Sequence, residues 1–313
     1  MEPLAELTVN RSNPMVDPGL HVWGWEIPVY LFLGGLVAGM MILSGYLLLT
    51  GRFRKPACLF YPLPGLGLAL LSLGMLALFL DLEHKLYVWR LYTTFEIASP
   101  MSWGAWILLL VYPALAVSFL VKAPPALTRR LPALGRAAAA LAERPGAVRW
   151  VGGLNVAFGI LLGIYTGILL SALGARPLWN SALLGPLFLL SGLSSAAAFV
   201  HMMARDVEER ELFAKADNVF LGTELVVLVL FFIGLLSSTQ VHLEAARLLL
   251  GGPYTAVFWV FVVGLGIVVP LIVQPLAVRH RVRHTAIVPV LVIAGGLALR
   301  FVLVYAGQMS HWR

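Results

Sequence analysis

The sequence predicts an all-α polytopic membrane protein with eight transmembrane helices, from its composition, its charge-free stretches and the placement of its basic residues. Of the 313 residues, 60% are hydrophobic and 12% are charged. A soluble domain averages about 45–50% apolar and about 25% charged residues. The composition therefore excludes a water-soluble globule, a disordered chain and a disulfide-rich secreted domain.

Eight apolar stretches are each long enough for the roughly 20 residues that cross a hydrocarbon core. Because lipid cannot satisfy open backbone groups, these stretches are expected to be α-helical. The predicted spans are 27–51, 56–80, 97–121, 150–175, 177–204, about 218–239, a segment within 248–278, and about 285–308. Glu224 lies inside the sixth span, and Arg300 lies inside the eighth.

The basic residues predict the orientation of the protein. Loops 51–55, 122–149, 205–217 and 279–284 together carry 15 Lys or Arg residues, whereas the other side carries 6. The positive-inside rule places these four loops in the cytoplasm. Both termini are then outside, on the periplasmic side of the cytoplasmic membrane. The net charge of +7 is explained by this orientation and implies no nucleic-acid partner.

The protein is expected to divide into an external segment and two helical bundles. Residues 1–24 contain charges and no apolar run, which predicts an external N-terminal segment instead of a cleaved signal peptide. Small residues recur at matching places in spans 1 and 5, and a Tyr-x-Gly pattern recurs in spans 4 and 8. Parallel repeats would give two four-helix bundles, 25–175 and 176–313. Chance is the alternative, because small residues are common in transmembrane helices.

Two loops are distinctive. The sequence of the cytoplasmic loop 122–149 is compatible with a short amphipathic helix near 129–143. It is equally compatible with a solvated connector that has no helix. The predicted outer loop 81–100 is rich in aromatic residues. Together with the N-terminal segment it would form an external platform.

Cysteine and histidine usage excludes redox metals held by this protein alone. A protein-bound iron–sulfur cluster normally takes four thiolates, and the sequence has one cysteine, Cys58. Of seven histidines, only His201 lies clearly within a span, and it is near the span's end. No pair of histidines can therefore ligate a haem in mid-membrane. The sequence predicts no metal site.

Ionisable groups within the spans are functional candidates, because each costs about 2.5–3.5 kcal/mol at mid-span on insertion scales. Glu224 is either a proton-relay carboxylate or a structural hydrogen-bonding group, and with His201 it would form a proton path from the inner face. Arg300 either pairs with Asp81 or Glu26, favours an anionic ligand state, or forms an ion pair between helices.

Tyr165 lies within the pattern Gly159-x-x-x-Gly163-x-x-x-Gly167 on span 4. Three glycines at this spacing share one helix face and permit close approach of another helix. Tyr165 points to a different face. Its phenol would either donate a hydrogen bond to a carbonyl of a buried ligand or belong to an interfacial aromatic belt.

Several longer stretches carry a family resemblance. They are WGWEIPVYLFLGGL at 23–36, Asp81-Leu82 and Trp89-Arg90 with SPMSWGAW at 99–106, and YTG at 165–167 followed by RPLWN at 176–180. Arg300 with YAGQ at 305–308 forms the last stretch. Together they resemble the polysulfide reductase membrane-subunit family, also called the NrfD family of quinol-dehydrogenase subunits. The resemblance extends over nearly the whole sequence.

The resemblance implies a haem-free integral subunit that binds menaquinone or ubiquinone near the outer face. It implies an external iron–sulfur, ferredoxin-like partner that exchanges electrons with the quinone. A molybdopterin catalytic subunit or a cytochrome would complete the assembly.

The resemblance also suggests site residues. Tyr165 matches the family's quinone-proximal tyrosine, and Asp81 matches its acid at the outer end of span 2. Polysulfide reductases have a span 1 histidine where this sequence has Tyr30, and His21 and His84 are nearby alternatives. The two most specific motifs add further candidate quinone-contacting residues, Trp103 and Trp179.

The resulting hypothesis is quinol oxidation or quinone reduction near the outer face. Tyr165 would donate a hydrogen bond to a quinone oxygen. Protons would be exchanged by Asp81, Glu26 or His84. Arg300 would orient the site. One rival is an eight-helix solute or ion transporter, although the polar groups are predicted toward the two faces and transporter sites lie near the midplane. Another rival is a passive membrane anchor.

Overall fold

The computed structural model describes residues 23–55, 62–278 and 285–312. Within these ranges the ordered elements are helices, and eight of them are long and apolar enough to cross a membrane, as predicted. They are α1 (Glu26–Leu49), α2 (Leu63–Asp81), α3 (Pro100–Val121), α4 (Pro145–Ser171), α5 (Leu184–Met203), α6 (Val207–Leu236), α7 (a π-helical Val257–Val268 that continues as an α-helical Val269–Val278) and α8 (Ile287–Met309).

Short helices lie in the connections. They are Arg52–Arg54, Lys85–Tyr87, Arg90–Thr93, Pro125–Arg130, Pro132–Ala142, Pro177–Trp179 and Gln240–Leu250. The loop 122–149 therefore holds two short helices, each with a proline in its first turn, where the missing N–H costs nothing. We call the end of the molecule where α1 begins and α8 ends the termini end, and the opposite end the basic-loop end.

The largest difference from the predicted spans is the start of α6. The span was expected from about residue 218, but the helix begins at Val207. Glu208 and Glu209 in its first turn interact favourably with the positive end of the helix dipole, so the charged stretch is helical and not a loop. Asp217 consequently lies well inside a membrane-spanning helix.

Glycines bring α1 and its neighbours into close contact. A methyl group at Gly39 would approach the backbone carbonyl of Gly192 on α5 to 2.5 Å, and one at Gly159 would approach the carbonyl of Ala38 to 2.8 Å. α1 thus packs tightly against both α4 and α5, and it also contacts α2 and α8. Because α1 packs about as extensively on α5 as on α2, the division into two bundles stays a prediction.

Hydrogen bonds tie the first described residue to the end of α8 at the termini end. The amide N–H of Trp23 donates to Gln308 Oε1 (2.9 Å), and Gln308 Nε2 donates to the Trp23 carbonyl (3.1 Å). The Trp23 ring stacks on Trp179 with ring centroids 5.3 Å apart. These contacts fix the start of α1 against the end of α8.

Candidate functional site

An apolar cleft opens at the termini end, among the first four membrane helices. The space that its walls and open mouth surround is about 550 Å³. Its walls come from α1, α2, α3, α4 and the connection between α2 and α3. The lining residues are Tyr30, Met75, Leu78, Phe79, Leu82, Val88, Leu91, Tyr92, Met101, Gly104, Ala105, Leu108, Tyr165 and Leu169.

Two phenols meet in this cleft. Tyr30 of α1 and Tyr165 of α4 are both buried, at 3% and 4% exposure, and they share a hydrogen bond. Gly104 of α3 lies directly against the Tyr165 ring, so that a methyl group there would overlap the ring. The structure therefore brings together two of the predicted quinone-contacting residues, and it adds Gly104 as the residue that makes room for one of them.

Tyr92 contributes a third phenol, from the connection between α2 and α3. It lies in the short helix Arg90–Thr93 and is half-buried. Burial raises the pKa of the Tyr92 phenol, and the nearby Tyr112 raises it further. Tyr92 therefore remains a protonated donor at neutral pH. Sequence reasoning did not single it out, because one tyrosine in an aromatic loop carries no distinguishing signal.

The predicted proton-exchanging groups lie near the cleft but not in its lining. Asp81 is the last residue of α2, next to the lining residue Leu82, and its charge interacts with that of Glu26. Glu26 begins α1 one turn before Tyr30, so the two residues share a helix face. His84 is exposed to solvent in the connection after α2.

The remaining cofactor candidates lie elsewhere. Trp103 is 37% exposed, and its indole N–H donates to the Ile97 carbonyl (2.7 Å). Trp179 is buried, and its indole N–H donates to the Leu303 carbonyl (2.8 Å). Neither is among the residues that line the cleft. His21 lies outside the described residues.

Arg300 is held on the opposite side of α1. It is 1% exposed, and its guanidinium donates to Ser191 Oγ (2.5 Å) and to the carbonyls of Phe188 (2.8 Å) and Gly296 (3.3 Å). The acid whose charge acts on it is Glu224, and neither Asp81 nor Glu26 has that role among the described residues. Arg300 therefore joins α8 to α5 through hydrogen bonds, and it is also under the influence of the Glu224 charge on α6.

Glu224 of α6 is also buried, at 3% exposure, and it hydrogen-bonds to the same Ser191 of α5. Ser191 thus lies between the acid and Arg300. His201, at 5% exposure, lines a separate polar cleft at the basic-loop end with Arg210 and Thr285.

Sequence reasoning missed the most buried acid among the described residues. Asp217 of α6 is 0% exposed and accepts a hydrogen bond from Gln274 Nε2 (2.6 Å). It was counted with the loop 205–217, because the charge-based boundary ended the span at residue 218. The signal that could have found it is spacing: Asp217 and Glu224 are seven residues apart and therefore share a helix face.

The eight apolar helices define a multi-pass helical membrane protein with an apolar cleft at its termini end. Residues 12–311 match the family model described as "Polysulphide reductase, NrfD". The chain belongs to this family, as the resemblance indicated.

Curated relatives match over nearly the full length of the sequence. It is 33% identical to "Protein NrfD" of Escherichia coli, with 92% of this sequence and 96% of the relative covered. It is 30% identical to the C subunit of the polysulfide reductase of Wolinella succinogenes, with 92% and 94% covered. It is 29% identical to "Protein NrfD homolog" of Haemophilus influenzae, with 97% and 99% covered.

Proposed function

We propose that this protein is the quinone-reactive membrane subunit of a multisubunit respiratory oxidoreductase. The observation that carries the proposal is the apolar cleft of about 550 Å³ with hydrogen-bonded phenols of Tyr30 and Tyr165 in its lining. The name of one relative, the C subunit of a polysulfide reductase, supports a role within a complex of several subunits.

The residues present fit a menaquinone or ubiquinone head group. Aliphatic and aromatic side chains line the cleft, while Gly104 leaves space beside the Tyr165 ring. Phenol O–H groups suit the carbonyl and hydroxyl oxygens of such a ring, because they both donate and accept hydrogen bonds. When bound, the quinone or quinol supplies two-electron, two-proton redox chemistry.

The protein's own residues would orient the head group and handle its protons. Tyr165 and Tyr30 exchange their mutual hydrogen bond for one to a ring oxygen and so fix the head group. Asp81 and Glu26 hold and pass protons at the mouth of the cleft, and the exposed His84 passes them to water. Arg300 acts as a positioning residue, since its bonds to Phe188 and Ser191 fix α5 beside Gly35 of α1.

Electrons would leave or enter through an external iron–sulfur, ferredoxin-like subunit. Large apolar side chains are exposed in the connection between α2 and α3, beside the cleft. They are Leu86, Tyr87, Trp89, Phe95 and Ile97. An exposed apolar patch of this kind is typical of a protein interface. A molybdopterin subunit or a cytochrome would complete the electron path.

Glu224 and His201 would form a proton path from the basic-loop end. Both are buried, and the polar cleft that His201 lines would admit water at that end. Glu224→Gln is expected to lower proton uptake by the reconstituted complex. Unchanged uptake in this variant would contradict the path.

The proposal is tested by purifying the complex from native membranes through a tag on this protein. Mass spectrometry should identify a copurified quinone and an iron–sulfur subunit. A tagged Tyr165→Phe variant should retain the partner and copurify with less quinone. Recovery of the protein with neither quinone nor redox partner would favour a passive anchor or a transporter.

A further inference from the structure

Asp217 lies in a polar cluster that the proposed quinone chemistry does not use. Its Oδ2 accepts a hydrogen bond from Gln274 Nε2 (2.6 Å), and its carboxyl group also bonds to Ser194 of α5. Asp217 is 0% exposed and Gln274 is 1% exposed. The cluster therefore joins α5, α6 and α7 inside the protein.

Two oxygens of this cluster lack a donor. Asp217 Oδ1 and Gln274 Oε1 are both buried without a hydrogen-bond partner. A buried acceptor without a donor is destabilising, and more so when it is charged. One proton on the Asp217 carboxyl would remove its charge and add a donor to the cluster.

The charges around Asp217 also favour a proton on its carboxyl group. Among the described residues, the groups that act on the Asp217 carboxyl are Gln274, Ser194 and Glu224, and none of them is a cation. Glu224, by contrast, has Arg300 as its positive partner. An ionised carboxylate buried without a cation is so costly that such a group takes up a proton instead.

We infer that Asp217, with Ser194 and Gln274, is a proton-binding site in the middle of the second set of four helices. The site extends the proposed function, because it adds a second buried carboxyl to the face of α6 that carries Glu224. The inference is argued from the burial and hydrogen bonds of Asp217 and Gln274, so it does not depend on quinone binding in the apolar cleft.

Hydroxyl groups lie between the two carboxyls. Asp217 and Glu224 are seven residues apart, which is about 10 Å along an α-helix, too far for direct proton transfer. Ser191 bonds to Glu224 and Arg300, Ser194 bonds to Asp217, and Ser195 has a buried Oγ without a partner. The Ser191 and Ser194 hydroxyls of α5 therefore contact the two carboxyls, one each.

Toward the basic-loop end, Glu209 continues the same face. It is 3% exposed and lies eight residues before Asp217, about 12 Å along α6. The buried acids of α6 are thus spaced along one side of the helix, and they are Glu209, Asp217 and Glu224.

Infrared spectroscopy of the purified complex tests the inference directly. A protonated carboxyl group has a carbonyl stretch that a carboxylate lacks, and its band shifts in D₂O. We expect this band to be lost in Asp217→Asn and retained in Glu208→Gln, which removes a solvent-exposed acid from the same helix. A spectrum that Asp217→Asn leaves unchanged would overturn the inference.

A second measurement needs no variant and so covers the case in which Asp217→Asn does not fold. Dicyclohexylcarbodiimide reacts with protonated carboxyls in apolar surroundings, and peptide mass spectrometry locates the product. We expect dicyclohexylcarbodiimide to label Asp217 at neutral pH. The extent of labelling should be the same in sodium chloride and in choline chloride. Absence of label at Asp217 would overturn the proton site. Protection by sodium alone would also overturn it, in favour of a sodium site.

Neither result depends on quinone turnover. If Asp217 proves unprotonated while quinone copurifies with the protein, the proton site fails and the proposed function stands. If Asp217 is protonated and no quinone site exists, the proposed function fails alone.

Discussion

The phenols of Tyr30 and Tyr165 share a hydrogen bond across the contact between α1 and α4. This pair depends on glycines, because Gly159 lets α4 pack directly against the backbone of α1 and Gly104 leaves room for the Tyr165 ring. A ring oxygen of a ligand can accept a hydrogen bond from each phenol, so that the loss of their mutual hydrogen bond leaves neither phenol unsatisfied. The pair is therefore the centre of the proposed site.

Removal of the Tyr165 hydroxyl should weaken quinone binding with little change in the fold. One net hydrogen bond is worth about 0.5–1.5 kcal/mol, so we expect Tyr165→Phe to raise the quinone Kd by roughly 3–10-fold. Tyr305→Phe is the control, since Tyr305 lies on α8 and does not line the cleft. Quinone titration of the purified complex measures both, and equal affinities would contradict the role of Tyr165.

A methyl group at Gly104 should damage the same site by displacing the Tyr165 ring. Gly104→Ala places a Cβ atom where that ring lies, whereas Gly153 on α4 has open space around it. We expect Gly104→Ala to lower quinone affinity at least as much as Tyr165→Phe. Gly153→Ala should leave it unchanged. Normal quinone affinity in Gly104→Ala would show that the position of the Tyr165 ring does not affect quinone binding.

Asp81 is expected to act as a proton-exchanging group. A general acid or base typically contributes about 10²–10⁴-fold to a rate, so Asp81→Asn should lower quinone turnover by about 100-fold. Asp81→Glu should restore much of the rate. Glu83→Gln removes an exposed acid two residues away and serves as the control. Quinol-dependent reduction of an artificial acceptor by the complex gives these rates.

Arg300 and Glu224 should be energetically coupled through Ser191. Arg300→Gln leaves Glu224 buried without its positive partner, which typically costs about 3–5 kcal/mol. Adding Glu224→Gln should recover part of the loss, with a coupling above about 0.5 kcal/mol in a double-mutant cycle. Denaturant unfolding in detergent measures each variant. Additive effects would mean that the two groups do not interact.

Much of the fold could be predicted because lipid imposes simple rules on sequence. Each of the eight predicted apolar stretches is a helix, although several ends differ by a few residues. The predicted start of α6 was wrong by about three turns, since charged residues near Val207 favour a helix N-terminus as readily as a loop. That error concealed Asp217, which looked like a loop residue.

The candidate site was only partly predictable. The resemblance named Tyr165 and the span 1 position that Tyr30 occupies in place of a histidine. The contact between these two residues depends on how α1 and α4 pack, and no local pattern contains that information. The partners of Arg300 are likewise determined by tertiary packing, because Ser191 and Glu224 come from two other helices. Charge complementarity alone could not choose between Glu224 and the acids at the termini end.

Photolabelling tests the central claim most directly. A photoreactive quinone analogue, bound to the purified complex and irradiated, marks the residues that surround its head group. The account predicts labelled peptides containing Tyr30, Tyr92, Met101 or Tyr165, with the label displaced by excess menaquinone or ubiquinone. Label confined to α5–α8, or label that excess quinone does not displace, would contradict a quinone site in this cleft.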